Sequence, residues 1–516
     1  MSVARHDPTD QARSRLAGCA DRLGRTAERF VAETSEGAIV LSVLAAFVVL
    51  WMIFWTVSTA SLDVHIDNDE ALSWAQHFAF GYKHPPMTGW LFILWFSIFP
   101  REKWAVDLLN VMNSAVALGI TWRLLRDHLD KNRALLGLLA LMLIPLYDAK
   151  AEVLNANTVM IPFWAATLLF YLRARRGLGV FDAFLAGAFA SLTMLGKYWA
   201  VFLLVGMAAA SLVGPGTKRF WRSPAPYAMA AGAIIAIAPH IWWSLNNAAS
   251  LQFAQSVINH TSFGETLEKS ALYVLGAVAY IVVPLIFLAA LRPSRAALAD
   301  IVWPADDDRQ QAWVLLLVPL ILPVLVNLVI PYRLTPDWTF PNWALLPVVL
   351  YASPRITVDA RAVARAGVVA LAMILAVVIA SPVIAGVRVA YGSDQYRPHF
   401  RQVAELADRL SGKPVQLYWG SGDIIAGLPV YLPGARLLSV GPLSDEGRAD
   451  SSVHGLVVVC LTTDAGCRSI GDAFAKTGAR TTTVALTRSF LGFTSPPLDV
   501  QITVVPQAET PARATQ

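Results

Sequence analysis

Charge is scarce in this sequence. Only 15% of its 516 residues are Asp, Glu, Lys or Arg, and 56% are apolar or aromatic; soluble domains run nearer a quarter charged. With a mean hydropathy of +0.52, 36 acidic and 41 basic side chains cannot cover the roughly two to four domains that such a length would form in water. A wholly soluble protein is therefore excluded. Three cysteines are too few for a disulfide-stapled secreted module. The sequence also lacks a glycine-rich nucleotide loop, a long low-complexity tract, and any internal repeat of the kind that marks two-fold transporters. The excess charge of +5 does not point to nucleic acid, because Lys and Arg fall at the ends of apolar runs, where membrane topology needs them.

What is present is a series of apolar runs. Residues 1–36 are polar, carry six Arg and hold no apolar core, so they read as a cytoplasmic amphipathic or disordered lead and not as a signal peptide. The first span is expected at 38–60, long enough to cross roughly 30 Å of hydrocarbon. Ten more centre on 104–122, 134–147, 158–172, 181–195, 198–213, 224–243, 270–291, 312–331, 339–353 and 366–389. With the N-terminus inside, the segments 123–133, 173–179, 214–222, 292–311 and 354–365 also fall inside, and each is rich in Arg and Lys, as the positive-inside rule requires. The outer loops are then 61–103, 148–157, 196–197, 244–269 and 332–338. Counting the 13-residue run 87–99 as a crossing would invert every later loop, so it is expected to lie flat on the outer face.

After residue 390 the sequence changes character. Strand-like runs (VQLYW, ARLLSV, GLVVVCL, RTTTVALT, DVQITVV) alternate with helix-like ones (PHFRQVAELADRL, SIGDAFAKTG), which predicts a small α/β domain over 390–516 outside the membrane. Cys460 and Cys467 sit in it, as a short-loop disulfide or as two buried thiols; Cys19 is cytoplasmic.

The first outer loop carries the densest polar chemistry: Asp63, His65, Asp67, Asp69 and Glu70, then Tyr82, Lys83 and His84. Leu72, Ala75, Phe78, Ala79 and Tyr82 recur at helical spacing, predicting an amphipathic helix over 71–82 with the acids at its N-terminus. Helix capping is the plain structural reading of Asp67. Three carboxylates within four residues repel one another, however, and such a cluster suits a site that meets cations or takes a proton. A carboxylate here has the chemistry of a general base toward a hydroxyl. Lys197 interrupts an apolar run, where an ammonium is costly without a partner; it is either an interface anchor or the counter-ion of a phosphate. His260 reads as a loop histidine and Arg333 as a further phosphate candidate. The histidines do not show metal-ligand spacing, so neither metal nor cofactor is expected. Most of the 17 Trp sit near span ends, as an aromatic belt.

The stretch IDNDEALSWAQHFAFGYKHPPMTGWLFILW resembles the first outer loop of bacterial polyprenyl-phosphate-sugar glycosyltransferases. These form the superfamily of protein O-mannosyltransferases and lipid A aminoarabinose transferases, which share the C-type glycosyltransferase fold. Asp69-Glu70-Ala71, Gly81-Tyr82 and His84-Pro85-Pro86 match its pattern in order. LTMLGKYWAVFLL, APHIWWSLNN and PDWTFPNWALLPVVLY resemble later segments, so the similarity covers most of 38–390, and the tail fits a variable outer domain. The resemblance implies that Asp69 is the catalytic base with Glu70 beside it, that His84 lies by the donor phosphate, and that Lys197 corresponds to a lysine at the next feature of that pattern. Tyr82, His260 and Arg333 are candidate substrate contacts. One departure stands out: Lys83 occupies a position commonly acidic in relatives and linked in some to a metal. That weakens any metal site and adds positive charge where a phosphate would leave.

The expectation is thus an α-helical polytopic membrane protein of the bacterial inner membrane, with about 11 spans and its site and tail periplasmic. Its partners would be a polyprenyl-phosphate-linked sugar donor, membrane lipids, and a lipid, glycan or protein acceptor. A flippase or transporter is the rival from another class, but it predicts charges mid-span and paired halves. A polysaccharide ligase would instead centre on a large late outer loop.

Overall fold

The computed structural model describes residues 22, 24–150, 152–214, 216–256, 258, 262–391, 399–432, 434–438, 454–476 and 478–507, apart from the side chains of Asp69 and Asp423. The protein is mostly helical. In chain order its principal helices are α1 Glu36–Ser58, α2 Ile66–Trp74, α3 Met87–Phe96, α4 Lys103–Arg126, α5 Lys131–Met142, α6 Met160–Gly177 and α7 Val180–Gly196. There follow α8 Val201–Ser211, α9 Ala225–Asn246, α10 Ala249–Ser256, α11 Phe263–Tyr280, α12 Val282–Ala290, α13 Asp307–Val329, α14 Leu346–Tyr351 and α15 Ala360–Tyr391.

Among the described residues five helices are long and apolar enough to cross a membrane: α1, α4, α9, α13 and α15. Helices α11 and α12, bent by 43° at their junction, pass the same measure of length and apolarity when taken together. The segment expected as the span 270–291 is therefore two helices and not one. Pro284 has no N–H for the carbonyl four residues earlier, and its ring crowds that turn, so the helix ends at Tyr280 and restarts at Val282. The other five expected spans are shorter pieces. Helices α5, α6, α7 and α8 take four of them, and over 339–353 a 3₁₀ segment Pro336–Leu345 runs into α14. Helix α3, at ten residues, is about 15 Å long, half of what a crossing needs.

The loops that the charge pattern places on one side do meet at one end of the bundle. Arg126 pairs with Glu36 (2.5 Å), Arg123 and Arg173 share Asp127 (2.9 and 2.6 Å), and Arg176 holds Asp308 (2.6 Å). Tight helix packing comes from small residues. At the crossing of α7 and α9, a Cβ on Gly187 would lie 1.8 Å from the Met229 carbonyl oxygen, and one on Gly232 2.1 Å from that of Phe184.

Beyond α15, helices α16 (Phe400–Ser411), α17 (Leu428–Tyr431) and α18 (Ala465–Ala475) accompany strands β1 (Leu417–Gly420), β2 (Arg436–Leu437), β3 (Leu456–Leu461), β4 (Arg480–Leu486), β5 (Ser489–Phe490), β6 (Phe493–Thr494) and β7 (Leu498–Val505). Five of them form a mixed sheet in the order β2-β1-β3-β7-β4, parallel across β2-β1-β3 and antiparallel across β3-β7-β4. Central strand β3 is an unbroken apolar run (LVVVCL), buried for its first five residues, as a strand covered on both faces should be. Cys460 on β3 and Cys467 on α18 are joined as a disulfide. The β5-β6 hairpin sets Phe493 against Gly386 of α15.

Candidate active site

Helix α2 carries the acidic motif, and it is not the helix expected over 71–82. It begins at Ile66, so the acids lie within it and not ahead of it, and it ends at Trp74. Its N-cap is His65, whose Nδ1 accepts the Asp67 backbone N–H at 3.1 Å; Asp67 is not the cap. The apolar spacing beyond Trp74 serves a folded loop. There Phe78 stacks on Trp90 (5.5 Å) and the Trp90 indole donates to the Ala79 carbonyl (2.7 Å). Gly81 admits the ring of Trp243, which a Cβ would meet at 2.2 Å.

Two of the helix's first residues are oriented by loop 148–157. Asn68 is buried and its Oδ1 accepts the Leu154 N–H (3.0 Å), while Asn155 donates to Asp67 Oδ2 (2.8 Å). Lys83 answers Glu70 at 2.6 Å and lies 4.6 Å from the centroid of Phe253.

Beside α2 is a cavity of about 860 Å³. Its wall takes residues from all five loops expected on the outer side: Asp67, Glu70 and His84 from the first, Lys150 and Asn157 from the second, Lys197 from the third, Phe253 from the fourth, and Arg333, Asp337 and Trp338 from the last. Lys197 is the C-cap of α7 in extended backbone. Its ammonium donates to Asn157 Oδ1 (2.7 Å) and lies 3.9 Å from the centroid of Trp338. Burial pushes this lysine down to about 7; neighbouring Arg333 acts in the same direction and Asp67 opposes it. Burial also lowers His84 to about 3, helped by the charges of Lys197 and Lys83, so its imidazole is neutral and offers one N–H donor. Deeper in the wall Tyr198 accepts or donates between Ser250 Oγ (2.9 Å) and His240 Nε2 (2.8 Å). Because His240 Nδ1 must donate to the Phe80 carbonyl (2.6 Å), its Nε2 is an acceptor, so the Tyr198 hydroxyl donates to it and accepts from Ser250.

Of the residues singled out from sequence, Glu70, His84, Lys197 and Arg333 line this one cavity. Lys83 does not; it faces Glu70. Tyr82 is not among the residues that line the cavity. Its hydroxyl donates to the His77 carbonyl (2.7 Å) and accepts the Ala79 N–H (3.1 Å), and its ring stacks on Trp74 (5.4 Å). Asp69 belongs to α2 by its backbone, but its side chain lies outside the described residues, as does all of His260. Sequence reasoning missed Asn155, Asn157, Lys150 and Trp338, and Lys150 pairs with Asp337 at 2.5 Å. The sole sequence signal for the asparagines was their place in a polar outer loop. Among the described residues no group of three or more His, Cys, Asp or Glu is arranged to hold a metal ion.

A carboxylate-bearing helix thus faces a lysine and an arginine with no acidic side chain in contact among the described residues. Such a site can take up an anion and, next to it, a proton. Residues 83–243 match the family described as dolichyl-phosphate-mannose-protein mannosyltransferase. A lipid A galacturonosyltransferase, RgtD, of Rhizobium johnstonii is 25% identical over 311 residues. That match covers 58% of this chain and 62% of the relative, so the chain spans somewhat under two thirds of that protein's length. Two structures of ArnT from Cupriavidus metallidurans share the fold. The apo form gives a TM-score of 0.58 at 13% identity, covering 89% of this chain and 98% of that one. The form bound to undecaprenyl phosphate gives 0.55 at 15%, covering 91% and 98%.

Proposed function

We propose that this chain belongs to the superfamily of the protein mannosyltransferases and ArnT-type transferases and is a glycosyltransferase drawing on a polyprenyl-phosphate-linked sugar, a reading supported by the family match over residues 83–243 and by the similarity to RgtD. One observation carries the reading: a single cavity sets the acidic helix α2 against Lys197, Arg333 and His84. A phosphate seated on these donors would lie next to a carboxylate, which is the pairing a sugar transfer needs.

In this reading the lipid tail of the donor lies in the bilayer and its phosphate rests on Lys197 and Arg333, with the neutral His84 donating one hydrogen bond. Asp69 takes the proton of an acceptor hydroxyl as that oxygen bonds to the anomeric carbon. The bond from that carbon to the phosphate oxygen breaks, the electron pair leaves with the polyprenyl phosphate, and the configuration inverts. Cations fixed in place before the reaction stabilise the developing phosphate charge, commonly the largest catalytic contribution. Asp67 is the second candidate base, favoured by its place on the cavity wall and its fixed contact to Asn155. An envelope lipid is the acceptor we favour, in line with the lipid A named for the relative in Rhizobium. The eleven-span topology, with the N-terminus cytoplasmic and the cavity and tail periplasmic, belongs to the same proposal and is supported by the convergence of all five outer loops on the cavity.

The test is to incubate the purified protein with a panel of polyprenyl-phosphate sugars and an envelope lipid extract, and to follow free polyprenyl phosphate by mass spectrometry. Release with one member of the panel, with the sugar appearing on a lipid, is the expected result. A transporter or flippase would leave every donor intact.

A further inference from the structure

The tail beyond α15 is tied to both ends of helix α2. Ahead of the helix, Asp63 is buried and its Oδ1 accepts the Tyr431 hydroxyl at 2.6 Å. The backbone N–H of Arg401 bonds the same carboxylate, and the charges of Arg488 and Lys103 stand near it. Arg401 in turn lies 5.3 Å from the centroid of the Tyr431 ring and pairs with Glu102 at 3.4 Å. Just after the helix, Gln76 Nε2 donates to the hydroxyl of Tyr418 on strand β1 at 3.1 Å; Tyr418 is fully buried. Between these ties Ala71, Leu72 and Ala75 share one contiguous apolar core with Tyr418, Ile424, Leu428 and Val430.

These contacts have a mechanical meaning. A nine-residue helix does not hold its own shape in water, since isolated helices shorter than about 12–15 residues are marginal. Loop 148–157 fixes α2 on its cavity side through Asn68 and Asp67, and the tail supplies the opposite grip. An error of about 1 Å in the placement of a reacting group can cost roughly a hundredfold in rate.

We propose that the C-terminal domain is a clasp on α2, and that Tyr431 and Tyr418 are positioning residues that set the acidic turns of this helix against the cavity. The proposal rests on the glycosyltransferase reading for its effect on rate, but not for its effect on the helix. Both tyrosines act through hydroxyls, so Phe removes the tie and keeps the ring in its core.

The experiment uses the full chain as wild type, Tyr431→Phe, Tyr418→Phe, the double variant, Asp63→Ala and Asp63→Asn. Each is measured for thermal midpoint, donor turnover against donor concentration, and hydrogen exchange of the amides of 66–74. In the double variant the clasp predicts a kcat lower by roughly ten- to a hundredfold, a donor KM within twofold of wild type, a midpoint lowered by no more than two lost hydrogen bonds cost, and faster exchange across α2. Asp63→Asn still accepts a bond from Tyr431 and should keep most of the activity that Asp63→Ala loses. Wild-type kcat with wild-type exchange in the double variant overturns the proposal, and so does a loss of activity that merely tracks the thermal midpoint. If the wild-type protein consumes no donor at all, the glycosyltransferase reading falls, and the exchange data alone then decide the clasp.

Discussion

Lys197 holds its charge against the face of Trp338 and the amide of Asn157, and burial keeps its affinity for a proton near pH 7. An entering phosphate favours the charged form and raises that value. Binding of polyprenyl phosphate is therefore tightest where Lys197 is already protonated, and weakens as pH rises above about 7 because each bound anion must then draw in a proton. Between pH 7 and 9 the second ionisation of the phosphate, near 6, is complete. The dissociation constant, followed by intrinsic tryptophan fluorescence, should rise by up to about tenfold per pH unit. In Lys197→Arg it should stay flat across that window, because a guanidinium does not titrate there. His84, at about 3, adds nothing to the slope. Tyr82→Phe should leave the donor KM unchanged and lower stability by about 1 kcal/mol, the usual net worth of a hydrogen bond, as read from chemical denaturation. Residue by residue, the sequence displayed Glu70, His84, Lys197 and Arg333 because charge in an apolar context is conspicuous. It could not display that the Tyr82 hydroxyl is used up inside its own loop, nor that Asn155 reaches Asp67 across 88 positions.

Among elements, the long spans and the tail strands were the most legible. The runs VQLYW, ARLLSV, GLVVVCL, RTTTVALT and DVQITVV each contain a strand of the five-stranded sheet, since β-branched runs bounded by Gly, Pro and Asp leave few alternatives. Helix α2 was misplaced for a physical reason: a histidine caps it, and the aromatic spacing that suggests a helix beyond Trp74 belongs to a cluster of stacked rings. Helix contacts in the bundle depend on small residues, which let backbones approach. The carbonyl of Met229, 1.8 Å from a Cβ at Gly187, is backbone and cannot swing aside. Gly187→Val should therefore separate α7 from α9 and lower the thermal midpoint by several degrees, whereas Gly177→Ala, where no heavy atom lies within 4 Å of the added Cβ, should leave the midpoint unchanged.

For the whole molecule, charge parity sorts the loops into two sets, and the structure gathers each set at its own place. Glu36, Arg126, Asp127, Arg173, Arg176 and Asp308 meet in ion pairs, while the other five loops line the cavity. The number of full crossings was less legible, because among the described residues five helices and one bent pair pass by length and apolarity and short pieces such as α5 and α8 fill the rest of the bundle. The disulfide between Cys460 and Cys467 closes a short loop of seven residues' separation; a double Cys→Ser variant should lose about 2 kcal/mol of stability, measured by chemical denaturation of the full chain. The account as a whole stands on α2 delivering a base to a donor held by cations. Its most direct test is to measure polyprenyl-phosphate affinity and donor turnover side by side in wild type, Asp69→Asn and Asp67→Asn. The account predicts that Asp69→Asn binds the lipid phosphate as wild type does and turns over at least about a hundredfold slower. If both Asn variants turn over like wild type, neither aspartate of this helix is the base, and the account is wrong.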